Sequence, residues 1–424
     1  MKIRKVLIYG AIGIFVLIAG VITFIAVSRP QKNLYPNAQL AITNKLAIPP
    51  LLTPRMENGE KVFDLTVEKG ETEFLPGKST ATFGFNGSYL GPTIRASTND
   101  KVRINVTNKL GVATSVHWHG MHLPAAMDGG PHQIIEDGAE WQPNWTVTNE
   151  AATLWYHPHL MGNTGEQVYR GLAGLFIIDD ANSTALDLPH EYGVDDIPLV
   201  IHDRKFDANG QFIYDQHSAG STKPSPAGMI GDTILVNGTI APYVEAPKKM
   251  VRFRLVNSSN GRRYNFGFTD DHPFYAIATD GGLLNAPIEV SRILLASGER
   301  AEIVVDLSDT TGPLMLMSYG VPDSGNPLLN FISGFFGEDD TNQQFKILEV
   351  RPQAGNYAVQ TIPQKLNTIV KLDESAAANV RRFRLDSRTI NDNTLDHSRV
   401  DIVVKKGATE VWEIENQAPF YHSF

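Results

Sequence analysis

Three seven-residue segments constrain the fold of this chain more than any other feature: VRINVTN from Val102 to Asn108, VRFRLVN from Val251 to Asn257, and EVWEIEN from Glu410 to Asn416. Each alternates apolar with polar or charged side chains and closes on asparagine. Successive side chains of an extended strand point to opposite faces, so the pattern specifies strands with one buried face. The asparagines lie 149 and 159 residues apart, one domain length, so the chain reads as three related units. Long helical periodicity is scarce beyond the N-terminus, and 36 Gly and 25 Pro suit many short strands and turns. The expectation is all-β: complete antiparallel β-sandwiches at 60–182 and 190–348, and a partial third at 360–424. About 72 residues follow Asn108 within its unit whereas 8 follow Asn416, so the third sheet is expected to lack most of its second half.

The N-terminus reads differently. Lys2, Arg4 and Lys5 precede an uncharged apolar run of 22 residues from Val6 to Val27, long enough to cross a bilayer of about 30 Å. Residues 1–30 are therefore expected to be a signal anchor, or a signal peptide cleaved near Ala26 and Ser28. The basic residues stay inside, so everything after Arg29 is expected outside the cytoplasm, membrane-anchored through residues 6–27 or secreted. No twin-arginine pair is present. Residues 31–59 read as a linker and first strand.

Bulk composition excludes several classes. A formal charge of −9 and the lack of any basic run past the N-terminus argue against a nucleic-acid partner. The chain contains no cysteine, which excludes disulfides, thiolate nucleophiles, zinc ribbons and a lipoprotein anchor.

Two pairs stand out among the 12 histidines: His117-Trp118-His119 and His157-Pro158-His159. In extended chain, residues i and i+2 share a side, so each pair can present two imidazoles to one space. Neutral imidazole is the commonest metal ligand and suits copper, zinc, iron and nickel. Isolated His190, His202, His217, His272 and His397 read instead as hydrogen-bonded core or turn histidines.

The segments SVHWHG (115–120), MDGGP (127–131) and LWYHPHLMGNTGEQVYRGLAGLFII (154–178) resemble the first cupredoxin domain of multicopper oxidases, in the bacterial laccase-like and cuprous-oxidase branch. ATDGGLL (278–284) and SGERAEIVVD (297–306) resemble its second domain, and the terminal NQAPFYHSF the approach to a His-x-x-His-x-His motif in the third. The resemblance implies tandem cupredoxin-like Greek-key sandwiches. It implies copper as cofactor, with His117 on a type 2 copper, His119, His157 and His159 on a type 3 pair, and His422 on a type 1 copper. Asp128 would help supply protons. The four rings of the two pairs would converge on the face of domain one that meets domain three. The implied reaction couples one-electron oxidation of phenols, aromatic amines or metal ions to four-electron reduction of O2 to water. The partners are thus a small-molecule or metal-ion reductant and O2. Nine scattered Met, with none clustered at 351–400, favour organic reductants over Cu(I).

The chain departs from that pattern in one decisive respect. It has no Cys for a type 1 site, and the remaining third-domain ligands would fall after Phe424, so the chain alone is expected to be inactive. The alternative is an inactive, copper-free cupredoxin-fold envelope protein or a degenerate fragment. A zinc hydrolase of the amidohydrolase kind also uses His-x-His, but it needs strands alternating with helices around a barrel, which this sequence lacks.

Overall fold

The computed structural model describes residues 41–215, 228–320, 344–386, 388–396 and 398–418. The expected anchor at 6–27 and His217, His397 and His422 lie outside the described residues. Among the described residues, no helix is long and apolar enough to cross a membrane.

The strand Lys101–Lys109 shows why the first unit folds as it does. Val102, Ile104, Val106 and Asn108 are buried, while Arg103, Asn105 and Thr107 are not. It belongs to a sheet with Arg55–Glu57, Glu60–Leu75 and Glu140–Trp141, to which Lys78–Phe85 and Asn144–Thr146 attach. A second sheet runs in the order Ile94–Ser97, Gly174–Asp179, Ala152–His157, His117–His119. The core between them is built from Phe63, Leu65, Ile104 and Val106 on one side and Trp118, Leu154, Tyr156 and Phe176 on the other.

The second unit repeats the plan. A seven-stranded sheet is centred on Asp196–Arg204, Met250–Asn257 and Arg300–Asp306. A six-stranded sheet includes Pro242–Pro247, Phe345–Gln353, Leu314–Tyr319 and Tyr264–Phe268. Its edge strand is Asn44–Lys45, paired in parallel with Pro242–Pro247. The segment before the first sandwich thus completes the second, and Leu46 enters the second core. A third sheet joins Thr389–Ile390, Asn379–Asp386 and Glu410–Asn416.

The closing asparagines explain the repeat. Asn108 donates from Nδ2 to the carbonyls of Val112 and Ile135, both at 2.8 Å, and accepts from Leu110 N at 2.9 Å. Asn257 does the same, donating to Arg262 O and Leu295 O and accepting from Ser259 N. Asn416 accepts from Ala418 N at 3.1 Å. At Asn108 and Asn257 one side-chain amide therefore satisfies buried loop groups where the strand ends, and exposed Asn416 shares the bond from the residue two further on.

Two expectations need correction. The sheets are mixed, not antiparallel. Each repeat strand lies parallel to an earlier strand of its own unit: Lys101–Lys109 to Glu60–Leu75, Met250–Asn257 to Asp196–Arg204, and Glu410–Asn416 to Asn379–Asp386. Parallel neighbours need a crossover connection instead of a tight hairpin, and alternation says nothing about direction. Met250–Asn257 is also buried at every position, on both faces. Val251, Phe253 and Leu255 enter the second core, and Arg252 and Arg254 enter a buried ionic network instead of solvent. In the third unit the apolar side of Glu410–Asn416 is half open, with Trp412 and Ile414 each 47% exposed, because the described residues of that unit form a single sheet.

Candidate metal centre

The short strand His117–His119 lies antiparallel to Ala152–His157, with His117 opposite His157, Trp118 opposite Tyr156 and His119 opposite Trp155. Alternation sends Trp118 and Tyr156 into the aromatic core, where Trp118 also meets Trp145 and Phe176. The same alternation turns His117, His119, Trp155 and His157 to the other face. Pro158 follows, and His159 is held by its main-chain N–H, which donates to Ser115 Oγ at 2.8 Å.

The rings converge. Ligating nitrogens of His117, His119 and His157 all lie within 4.8 Å of one another. His117 stands 5.7 Å from His119, 5.4 Å from His157 and 5.2 Å from His159, between ring centroids. His119 Nδ1 and His157 Nε2 are 3.1 Å apart. Trp155 packs on His157 at 4.0 Å between centroids and closes the floor.

Backbone carbonyls fix two tautomers. His117 Nδ1–H donates to Asp128 O at 2.9 Å, and His157 Nδ1–H donates to Pro158 O at 2.8 Å. Each ring then carries its lone pair on Nε2, the atom a metal would take, and that of His157 faces His119 Nδ1 at 3.1 Å. Burial, first, and the Arg300 guanidinium, second, hold His119 down to about 3. Burial puts His157 well below the ordinary histidine value. His159, on the exposed rim, is lowered as well, by partial burial first. These three rings are therefore neutral at physiological pH and compete with no proton for a cation.

The carboxylate of Asp128 sits beside the same ring nitrogen, its Oδ1 3.2 Å from His117 Nδ1. The loop is brought there by Gly129, which has φ +71° and would place a Cβ 1.7 Å from the Val116 carbonyl oxygen. Gly129→Ala should therefore cost about 2–4 kcal/mol from left-handed strain plus the clash, read as a lowered midpoint in thermal denaturation. An unchanged midpoint would mean that the loop is not pinned against His117.

Sequence reasoning missed what packs on the same face of the strand that carries His157. Thr153, four residues before His157, donates from Oγ1 to Glu302 at 2.6 Å and accepts from Arg254 at 2.9 Å. Glu302 also binds Arg252, and Arg254 pairs with Asp196 at 2.7 Å. Burial alone would raise the Glu302 carboxyl, but the two guanidiniums bring it down to about 2. The neighbour shown against His119 is likewise the second sandwich, where a Cβ on Gly298 would meet His119 Cε1 at 3.4 Å. Of the isolated histidines, His202 is fully buried between Tyr89 OH at 2.9 Å and Ser258 Oγ at 3.2 Å, a core residue.

The donor set discriminates between copper sites. Clustered neutral imidazoles with fixed tautomers suit copper in both oxidation states. A copper–thiolate site does not fit, because the chain has no cysteine.

Family models described as multicopper oxidase match residues 66–183 and 199–328. The chain is 35% identical over 378 residues to the cell division protein FtsP of Escherichia coli, spanning 88% of this chain and 77% of that protein. The FtsP of Dickeya dadantii is 36% identical over 89% of this chain and 77% of its own length. The laccase-like multicopper oxidase CueO from Ochrobactrum sp. superposes with a TM-score of 0.78 at 31% identity, covering 88% of this chain and 82% of that one. The multicopper oxidase McoA from Aquifex aeolicus gives 0.74 at 31% identity, covering 89% and 82%.

Proposed function

Because the chain belongs to the multicopper oxidase family, we propose that it is an extracytoplasmic copper protein whose metal is held by His117, His119, His157 and His159. The observation that carries this reading is the convergence of three imidazoles within 4.8 Å, with His159 alongside. Asp128 orients His117 through its carbonyl, and its carboxylate beside the same ring nitrogen supports a role in passing protons. Trp155 and the second sandwich exclude water from one side.

Copper bound there would supply O2 binding and the multi-electron reduction of O2 to water, with phenols, aromatic amines or metal ions as reductants. That reaction draws its electrons through a copper–thiolate site, and this chain supplies no thiolate. The chain by itself is therefore a copper-binding protein without oxidase turnover. Loaded with Cu(II), it should show only weak ligand-field absorption, no intense blue band, and no measurable oxidation of a phenol under air. An intense blue band or sustained turnover would show that its copper ligands lie elsewhere.

A second reading has its own support. The curated relatives are called cell division proteins, which favours a copper-free structural role in the cell envelope. Metal analysis after purification from copper-replete cells separates the two. Copper retained in stoichiometric amount supports the first, and a metal-free protein that refuses copper supports the second.

A further inference from the structure

The second sandwich places a cation against the histidine cluster, and nothing in the proposed ligand set uses it. Arg300 opens the strand Arg300–Asp306, and its side chain is 4% exposed. It reaches across to the first sandwich at Gly120, the residue after His119, where a Cβ would lie 2.6 Å from Arg300 Nη2. Its Nε–H points at the carbonyl of Thr153, on the strand that carries His157. Nη1 pairs with Asp280 Oδ1 at 2.7 Å and donates to Gly298 O at 3.1 Å, while Nη2 donates to Asp280 O at 3.1 Å. The guanidinium is thus clamped next to His119, at the end of its strand, and against the far end of the strand that carries His157. Its counter-charge, Asp280, is 45% exposed and screened by water, so the positive field toward the cluster is the less screened one.

We propose that Arg300 is a positioning residue for the metal centre: a fixed positive charge that favours Cu(I) over Cu(II) on the histidine cluster. A neighbouring cation repels a bound metal in proportion to the metal's charge, so it penalises Cu(II) about twice as much as Cu(I). An imidazole bound to a metal is a neutral ligand and does not cancel it. An arginine suits the task because it stays charged when buried and its planar fork is held by several acceptors at once. The second sandwich then acts on the reduction potential of a site whose proposed ligands all belong to the first.

This inference rests on the copper reading above, and its test separates the two. Cu(II) and Cu(I) affinities are measured on the full chain by competition with chromophoric chelators, for the wild type, Arg300→Gln, Arg300→Lys and Asp280→Asn. Arg300→Gln should raise Cu(II) affinity by on the order of tenfold more than Cu(I) affinity, equivalent to a potential lowered by about 59 mV for a one-electron couple. Arg300→Lys should stay near the wild type. Asp280→Asn, which strips the counter-charge from the partly exposed side of the pair, should shift the ratio the opposite way by a smaller factor. Equal changes for both oxidation states in Arg300→Gln, or an Arg300→Lys that behaves like Arg300→Gln, would reduce Arg300 to a packing role and overturn the inference alone. A wild type that binds neither oxidation state would overturn the copper reading, and this inference with it.

Discussion

Glu302→Gln should destabilise the protein by about 3–5 kcal/mol and lower its thermal midpoint by on the order of 10 °C. The side chain is buried and binds Arg252, Arg254 and Thr153 together. A neutral amide leaves two guanidiniums with less than their compensating charge, and removing one partner of a buried pair costs far more than the intact pair contributes. The acid limb of stability should change with it. The folded carboxyl lies at about 2 and its ordinary value is 4.5, so its contribution is fully present above about pH 4.5 and is lost as the pH falls toward 2. That contribution is on the order of 3 kcal/mol at neutral pH. The wild type should lose stability across this window and Glu302→Gln should lose less of it. Denaturant titrations at pH 7, 5 and 3.5 check both, and a variant as stable as the wild type at pH 7 would show that the network is dispensable.

That network marks where sequence reading stops. In VRINVTN the alternation reports burial correctly, since Val102, Ile104 and Val106 face the core and Arg103 and Asn105 do not. The same alternation in VRFRLVN misleads. Arg252 and Arg254 look like a solvated face, yet another body packs on that face and supplies Thr153. Periodicity distinguishes apolar from charged, and cannot tell water from a buried carboxylate. The direction of pairing was equally hidden, because parallel and antiparallel partners impose the same period of two on a strand. The histidine pairs were legible for a local reason: i and i+2 on an extended segment share a face whatever the rest of the chain does. Their mutual approach is not local. It depends on His117 standing opposite His157 across the sheet; the resemblance implied that the pairs converge, and spacing did not. Arg300 was out of reach for the same reason, a single arginine in SGERAEIVVD whose importance comes from a neighbour far away in the chain.

The other large effect concerns the metal. His117 and His157 face each other across the strand pair, and each has its tautomer set by a carbonyl. Truncating either removes a preorganised ligand and leaves the remaining rings unable to enclose the ion. His117→Ala and His157→Ala should each weaken copper binding by about 100-fold or more, since even a residue that merely orients a metal ligand is worth about 10–100-fold. His202→Ala, which touches Tyr89 and Ser258 away from the cluster, should leave copper affinity unchanged even though it destabilises the fold.

Whether these imidazoles are a copper site is read most directly from electron paramagnetic resonance of the Cu(II)-titrated chain. The expected result is stoichiometric binding with nitrogen-only superhyperfine structure from several imidazoles, altered in His117→Ala and in His157→Ala but not in His202→Ala. A spectrum of free or oxygen-ligated copper, or a nitrogen-ligated one indifferent to His117 and His157, would contradict it.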